Sequence, residues 1–215
     1  MNDLIKSKAD YEFFLEADRI ALSRLNRKRP ALIGDEIWKF QRLLRKTEYF
    51  QNCKNDFLSK IYLYYLIFRL HRLSLTLGFS IPRNVFGPGL SIAHRGTIVV
   101  SQAAEVGENC RISQCVTIGT GPTSDVALVP KIGNNVFIGP GAVIVGSIEI
   151  ADGIAIGANS YVDKSFTEKD ITIAGNPARK ISEKGQKEAF GRSTDVLRKK
   201  LALIDGSRRK LEHRF

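Results

Sequence analysis

Aliphatic residues return every six positions along the middle of the chain. Ile132, Ile138, Ile144, Ile150, Ile156 and Val162 form an unbroken series; Val106, Ile112 and Ile118 keep the period upstream, and Ile92 and Ile98 keep it again. A helix repeats at 3.6 residues and a strand at two, so neither singles out every sixth position. A triangular β-solenoid with three short strands per coil does, each aliphatic pointing into the prism. Gly133, Gly139 and Gly157 directly follow three of the series, and Ala142, Ala158 and Ser160 are small, as tight corners require. Successive coils should lie about 4.8 Å apart, and the open ends of such a prism need caps.

Two departures from the period mark where function is expected, since regular coils are scaffold. The step from Ile98 to Val106 is eight residues, which predicts an enlarged corner, and the step from Ile118 to Ile132 is fourteen, which predicts an extruded loop over 119–131. Labelling the faces in turn puts Ile92, Ile112, Ile138 and Ile156 on one face. The residues two places on, His94, Gln114, Pro140 and Ala158, then line one edge as a groove suited to a long, thin ligand.

The flanks carry helical periodicity instead. Ser7 has the place of a cap for a helix to about Arg27, Asp35 for a second helix with Ile37, Phe40, Leu43 and Leu44 on its apolar side, and Asp56 for a third to about Leu77. On the third, Tyr62, Tyr65, Leu66, Arg69, Leu73 and Leu77 form a stripe expected to pack against the rest of the protein, with a membrane-surface face as the alternative. Val196, Leu197, Leu201 and Ile204 predict an amphipathic C-terminal helix. The expected organisation is a helical unit at 1–80, a β-helix at 81–181 and a helical tail at 182–215: a mainly β fold, a parallel β-helix with an N-terminal α-helical arm.

Charge sharpens this division. The net charge of +11 suggests a polyanionic partner, yet it divides into +6 over 1–80, zero over 81–181 and +5 over 182–215. The prism is neutral and the arms are basic. An acidic polysaccharide or a membrane surface is a possible partner for those arms; nucleic acid is not expected, because no recognition motif accompanies the charge. Cys53, Cys110 and Cys115 are odd in number with no CxxC, and Met1 is followed by Asn2, Asp3 and Lys6 in place of an apolar leader, which predicts a reduced, cytoplasmic protein. Phe57 to Phe79 is apolar but interrupted by Lys60, Arg69, His71 and Arg72, so no membrane span is expected.

The chain has three histidines, His71, His94 and His213, and only His94 lies on the coils. One histidine is too few for a metal shared between coils, so no metal is expected. His94 is either a structural side chain or, beside the enlarged corner, a general base for a hydroxyl nucleophile.

The stretches His94-Arg-Gly-Thr-Ile-Val-Val100, Gln114-Cys-Val-Thr-Ile-Gly119, Pro130-Lys-Ile-Gly133 and Gly175-Asn-Pro-Ala-Arg179 resemble the hexapeptide-repeat acyltransferases, and within them the serine acetyltransferase branch. The resemblance implies a left-handed parallel β-helix, a homotrimer with active sites between subunits, and transfer of an acetyl group from acetyl-CoA to a hydroxyl. It implies His94 as the catalytic base, the backbone N–H near Gly119 at the thioester, Pro140 and Ala158 along the pantetheine, and Arg179 and Lys180 near the CoA phosphates. Gln114 and Arg95 are candidate acceptor contacts. The resemblance also has gaps. The serine enzymes carry Asp before the histidine and an Arg-His pair before the Pro-Lys-Ile motif, where this chain has Ala93, Leu128 and Val129; their upstream carboxylate falls on Phe79. A site without those partners predicts poor serine binding. The resulting expectation is a carbohydrate acceptor of the capsule or lipopolysaccharide type, with serine as the alternative and a non-catalytic polyanion-binding scaffold as a third.

Overall fold

The structure, a computed structural model, describes residues 4–121, 125, 128–186 and 192–212, of which 205–212 as backbone only. Residues 122–124, 126 and 127 of the expected loop, and the side chains of Lys187, Arg208, Arg209, Lys210, His213 and Arg214, lie outside the described residues.

Ser7 caps α1 (Lys8–Ala21), its hydroxyl accepting from the Asp10 N–H at 3.1 Å. The helix ends short of the expected Arg27. Ser23 takes a left-handed φ of 56°, and the Arg19 guanidinium turns back to the carbonyls of Arg24 and Leu25 at 2.8 and 3.0 Å. Those carbonyls thus find a donor outside helix geometry. Asp35 precedes α2 (Glu36–Cys53) as expected, but its carboxylate makes no cap. It accepts from the Ala31 N–H at 3.0 Å and pairs with Arg24 and Arg27, each at 3.1 Å. The Ala31 N–H above all, with the two guanidiniums, holds Asp35 below the usual carboxylate range. Asp56 caps α3 (Phe57–Leu77), and Gly78, at a φ of 76°, closes its end.

Arg45 on α2 ties the arm to the prism. It is fully buried and donates to Asp18 of α1 at 2.9 Å, to Glu48 at 3.1 Å, and to the Phe86 and Gly87 carbonyls at 2.8 and 2.7 Å. Asp18 in turn accepts from the Gly89 and Leu90 N–H groups at 2.9 Å each. Burial opposes the charge on Arg45, but the two carboxylates outweigh it; the same burial pushes Glu48 up against the pull of Arg45.

The prism has three walls of stacked short strands. The first joins β1 (Phe79–Ser80), β3 (Ile98–Val100), β6 (Val116–Gly119), β9 (Val143–Val145) and β12 (Tyr161–Val162); the second joins β4 (Glu105–Val106), β7 (Lys131–Ile132) and β10 (Glu149–Ile150). The third runs β2 (Ser91–Ile92), β5 (Arg111–Ile112), β8 (Phe137–Ile138), β11 (Ala155–Ile156), β13 (Thr172–Gly175) and an antiparallel β14 (Ala178–Ser182). The fold is the expected left-handed parallel β-helix with helices at both ends of the chain. Ile92, Ile112, Ile138, Ile156 and Ile173 are successive register partners at the core. Phe40, Leu44, Leu70 and Leu77 of the arm belong to that same buried cluster.

Two helical faces differ from expectation. On α3, Leu66 and Leu77 are buried as predicted, but Tyr65 is half exposed and Phe57, Leu58, Ile61, Tyr64, Phe68 and Leu75 form an uncovered apolar face. On α4 (Ser193–Glu212), only Leu197 of the predicted apolar set is buried. Polar contacts dock this helix instead. Ser193 Oγ and the Thr194 N–H both donate to Asn109 Oδ1, at 2.8 and 3.1 Å, and Arg198 grips Glu108 with two bonds at 2.8 and 2.9 Å. Among the described residues, no helix is long and apolar enough to cross a membrane.

Candidate active site

The corner that carries His94 is the irregular one. Ile92 pairs with Ile112, and Ile98 with Val116, so residues 93–97 join the strands of the first coil where 113–115 suffice in the second. Val100 pairs with Ile118, and the step from Val100 to Val106 keeps the six-residue period. The enlargement expected after Ile98 therefore falls earlier, on the His94 corner itself. The cause is that Ile98 and Val100 both point inward, and Val100 is the one in register with Ile118. Gly96 makes the bulge possible: its φ of 131° is one that L side chains avoid, and its N–H donates to the Leu77 carbonyl at 3.2 Å. A Cβ there would approach Gln114 Cβ to 3.1 Å.

The predicted edge is present. The Gly141 N–H donates to the Gln114 carbonyl at 3.0 Å and the Asn159 N–H to the Pro140 carbonyl at 2.8 Å, which stacks the corners after β5, β8 and β11. His94 heads this edge and is exposed, with Arg95 beside it. Gln114 Oε1 is buried and has no hydrogen-bond partner among the described residues. Arg179 and Lys180 lie on β14, five strand spacings from β2 in the same wall, or about 24 Å. Lys180 is already engaged by Glu168 at 2.6 Å and Glu183 at 2.8 Å; Arg179 is exposed. Gly119 is not brought to this edge. It ends β6, across the first wall from Gln114, which precedes that strand, so within one chain it lies at a different corner of the prism.

On the other side of His94 the arm closes a cavity of about 420 Å³ against the first coil. Arg24, Asp35, Glu36 and Trp38 of the arm face Ser91, Ala93, His94, Arg95 and Arg111 of the coils across it. Arg111 is half-buried, donates to Ser91 Oγ at 3.2 Å, and has its pKa lowered by burial. Trp38 is 1% exposed, and its indole Nε1 has no hydrogen-bond partner among the described residues. Position-by-position reading of the coils missed these groups because they come from the arm and from the neighbouring coil. The signals available were the single tryptophan and the acidic pair Asp35-Glu36 at the start of a predicted helix. Among the described residues, no group of three or more His, Cys, Asp or Glu is placed to hold a metal ion.

Residues 130–164 match the bacterial transferase hexapeptide (six repeats) pattern. More particularly, the chain is similar to serine acetyltransferases. It is 36% identical over 99 residues to the serine acetyltransferase of Synechococcus elongatus, covering 46% of this chain and 40% of that one. It is 36% identical over 118 residues to that of Escherichia coli K12, covering 54% and 43%. The solved serine acetyltransferase of Brucella abortus S19 superposes with a TM-score of 0.66 at 28% identity, over 84% of this chain and 72% of that one; its complex with coenzyme A gives 0.62 at 27%, over 83% and 70%. The alignments with the two sequence relatives span about 40% of their length.

These relatives overturn the carbohydrate acceptor. The sequence relatives and solved structures named above are serine acetyltransferases, with nothing pointing to capsule or lipopolysaccharide. The expectation rested on residues missing at aligned positions. The structure shows that the His94 cavity is nevertheless lined by charged groups of both signs, supplied by Arg24, Asp35, Glu36 and Arg111.

Proposed function

We propose that the chain is an acetyl-CoA-dependent O-acetyltransferase acting on the hydroxyl of serine. The observation that carries the reading is the enlarged corner, which sets His94 between a long edge on one side and a polar cavity on the other. Acetyl-CoA lies along the edge, with pantetheine past Pro140 and Ala158 and the phosphates toward Arg179. Lys180 contributes there only as part of its carboxylate pairs. The acceptor hydroxyl enters from the cavity, near Arg95 and Gln114. The His94 imidazole takes the hydroxyl proton as the oxygen attacks the thioester carbonyl. The tetrahedral oxyanion collapses, the C–S bond breaks, and the imidazolium returns its proton to the departing CoA sulfur. A backbone N–H near Gly119 is assigned to the oxyanion, and it must come from another subunit, because Gly119 lies at a different corner of its own chain.

The active form is therefore a homotrimer. Phe57, Ile61, Tyr64 and Phe68 on α3 are exposed at alternating four- and three-residue spacing, the 3.5-residue period of helix faces that pair with other helices, and Val99 on the first wall is also exposed. The test is release of free CoA from acetyl-CoA on addition of L-serine. Serine-dependent release is expected, falling roughly 10²-fold or more in kcat in His94→Ala. Release that ignores serine would overturn the reading.

A further inference from the structure

Two buried side-chain polar atoms among the described residues lack a hydrogen-bond partner, and both belong to neighbours of His94. Gln114 Oε1 sits on the next coil of the edge; Trp38 belongs to the wall of the cavity. Buried polar groups in native proteins are nearly always satisfied, so orphans flanking His94, one on the edge and one in the cavity wall, point to ligands that complete them on either side. Their chemistry is complementary. An indole N–H only donates and so requires an acceptor oxygen, whereas an amide oxygen only accepts. Arg111 lines the same cavity from the coils, facing the arm, and its planar guanidinium matches a carboxylate two bonds at a time. Glu36 lines the same cavity and supplies the opposite sign, as an ammonium group requires, whereas Asp35 beside it is already paired with Arg24 and Arg27.

We propose that the cavity between the helical arm and the first coil holds the carboxylate of the amino-acid acceptor, received by the Arg111 guanidinium and the Trp38 indole N–H. The assignment rests on the acetyltransferase reading and deepens it. It places recognition on the arm and the second coil, at positions other than 93, 128 and 129. Arg111 and Trp38 are acceptor-specificity residues; His94 alone handles the proton.

Trp38 is the only tryptophan of the chain, so its emission reports on the subsite directly. Titration of the protein, without acetyl-CoA, is expected to show a saturable change with L-serine and one roughly 10-fold weaker or more with ethanolamine, which keeps the hydroxyl and ammonium but lacks the carboxylate. In Arg111→Gln the two compounds should titrate within about twofold of each other, because a buried-site charge pair has lost one member. Arg111→Lys, which keeps charge and bulk but not the fork, should restore part of the preference. In turnover, Arg111→Gln and Trp38→Phe should raise KM for serine roughly 10-fold while KM for acetyl-CoA stays within about twofold. Equal titration by serine and ethanolamine in the unmodified protein, or an undiminished serine preference in Arg111→Gln, would overturn the proposal. Serine-selective emission without any CoA release would uphold the subsite and sink the transfer reading. CoA release with serine and ethanolamine alike would do the reverse.

Discussion

Arg45 and His94 show two opposite uses of a charged or titratable side chain. Arg45 is sealed in the interior, its Nε and both terminal nitrogens donating to carboxylates or carbonyls, so its role is to hold α1, α2 and the first coil in one geometry. Removing one member of a buried ion pair leaves the others uncompensated, and Arg45→Gln should cost about 3–5 kcal/mol, read from the urea midpoint of unfolding at unchanged slope. A loss below about 1 kcal/mol would contradict that role. Such a node is illegible in sequence, where Asp18, Arg45 and Glu48 are three unremarkable charges on predicted helices. His94 was legible because it is the one histidine of the repeat. The residues around its cavity were not, since cavity walls join positions far apart in the chain, such as Trp38 and Arg111.

At the scale of elements, the six-residue period gave the three walls and the Ile92-Ile112-Ile138-Ile156 column, because inward-pointing aliphatics are what the period records. It misplaced the enlarged corner because two inward residues, Ile98 and Val100, compete for one place in the count. Helix ends and faces were harder still. Arg19 reaching back to Arg24 and Leu25 ends α1, and polar bonds through Asn109 and Glu108 dock α4, neither of which follows from apolar spacing. The His94 corner itself depends on Gly96. Gly96→Ala forces a side chain into a φ of 131° and toward Gln114, so it should cost about 1–3 kcal/mol and lower kcat roughly 10-fold or more by displacing His94 and Gln114. Full activity with unchanged thermal stability would show that the bulge does not position the base.

For the whole molecule, the charge that suggested a polyanionic partner is distributed over arms that have internal work to do. Arg45, Arg24, Arg27 and Arg198 all pair with carboxylates of the arm or the coils. The arm is continuous with the prism core and forms one wall of the cavity, so deleting it should remove acceptor recognition along with stability. Gly119 stands at a different corner from His94, so the proposed site, with Gly119 at the oxyanion, draws on more than one chain. Light scattering should give three times the 24.0 kDa chain mass, and a monomer with full activity would contradict the shared site. The most direct test of the central claim is serine-dependent release of CoA from acetyl-CoA by the intact protein and by His94→Ala. The account predicts turnover that saturates with L-serine and falls roughly 10²-fold or more in the variant; serine-independent release, or equal rates for the two proteins, would contradict it.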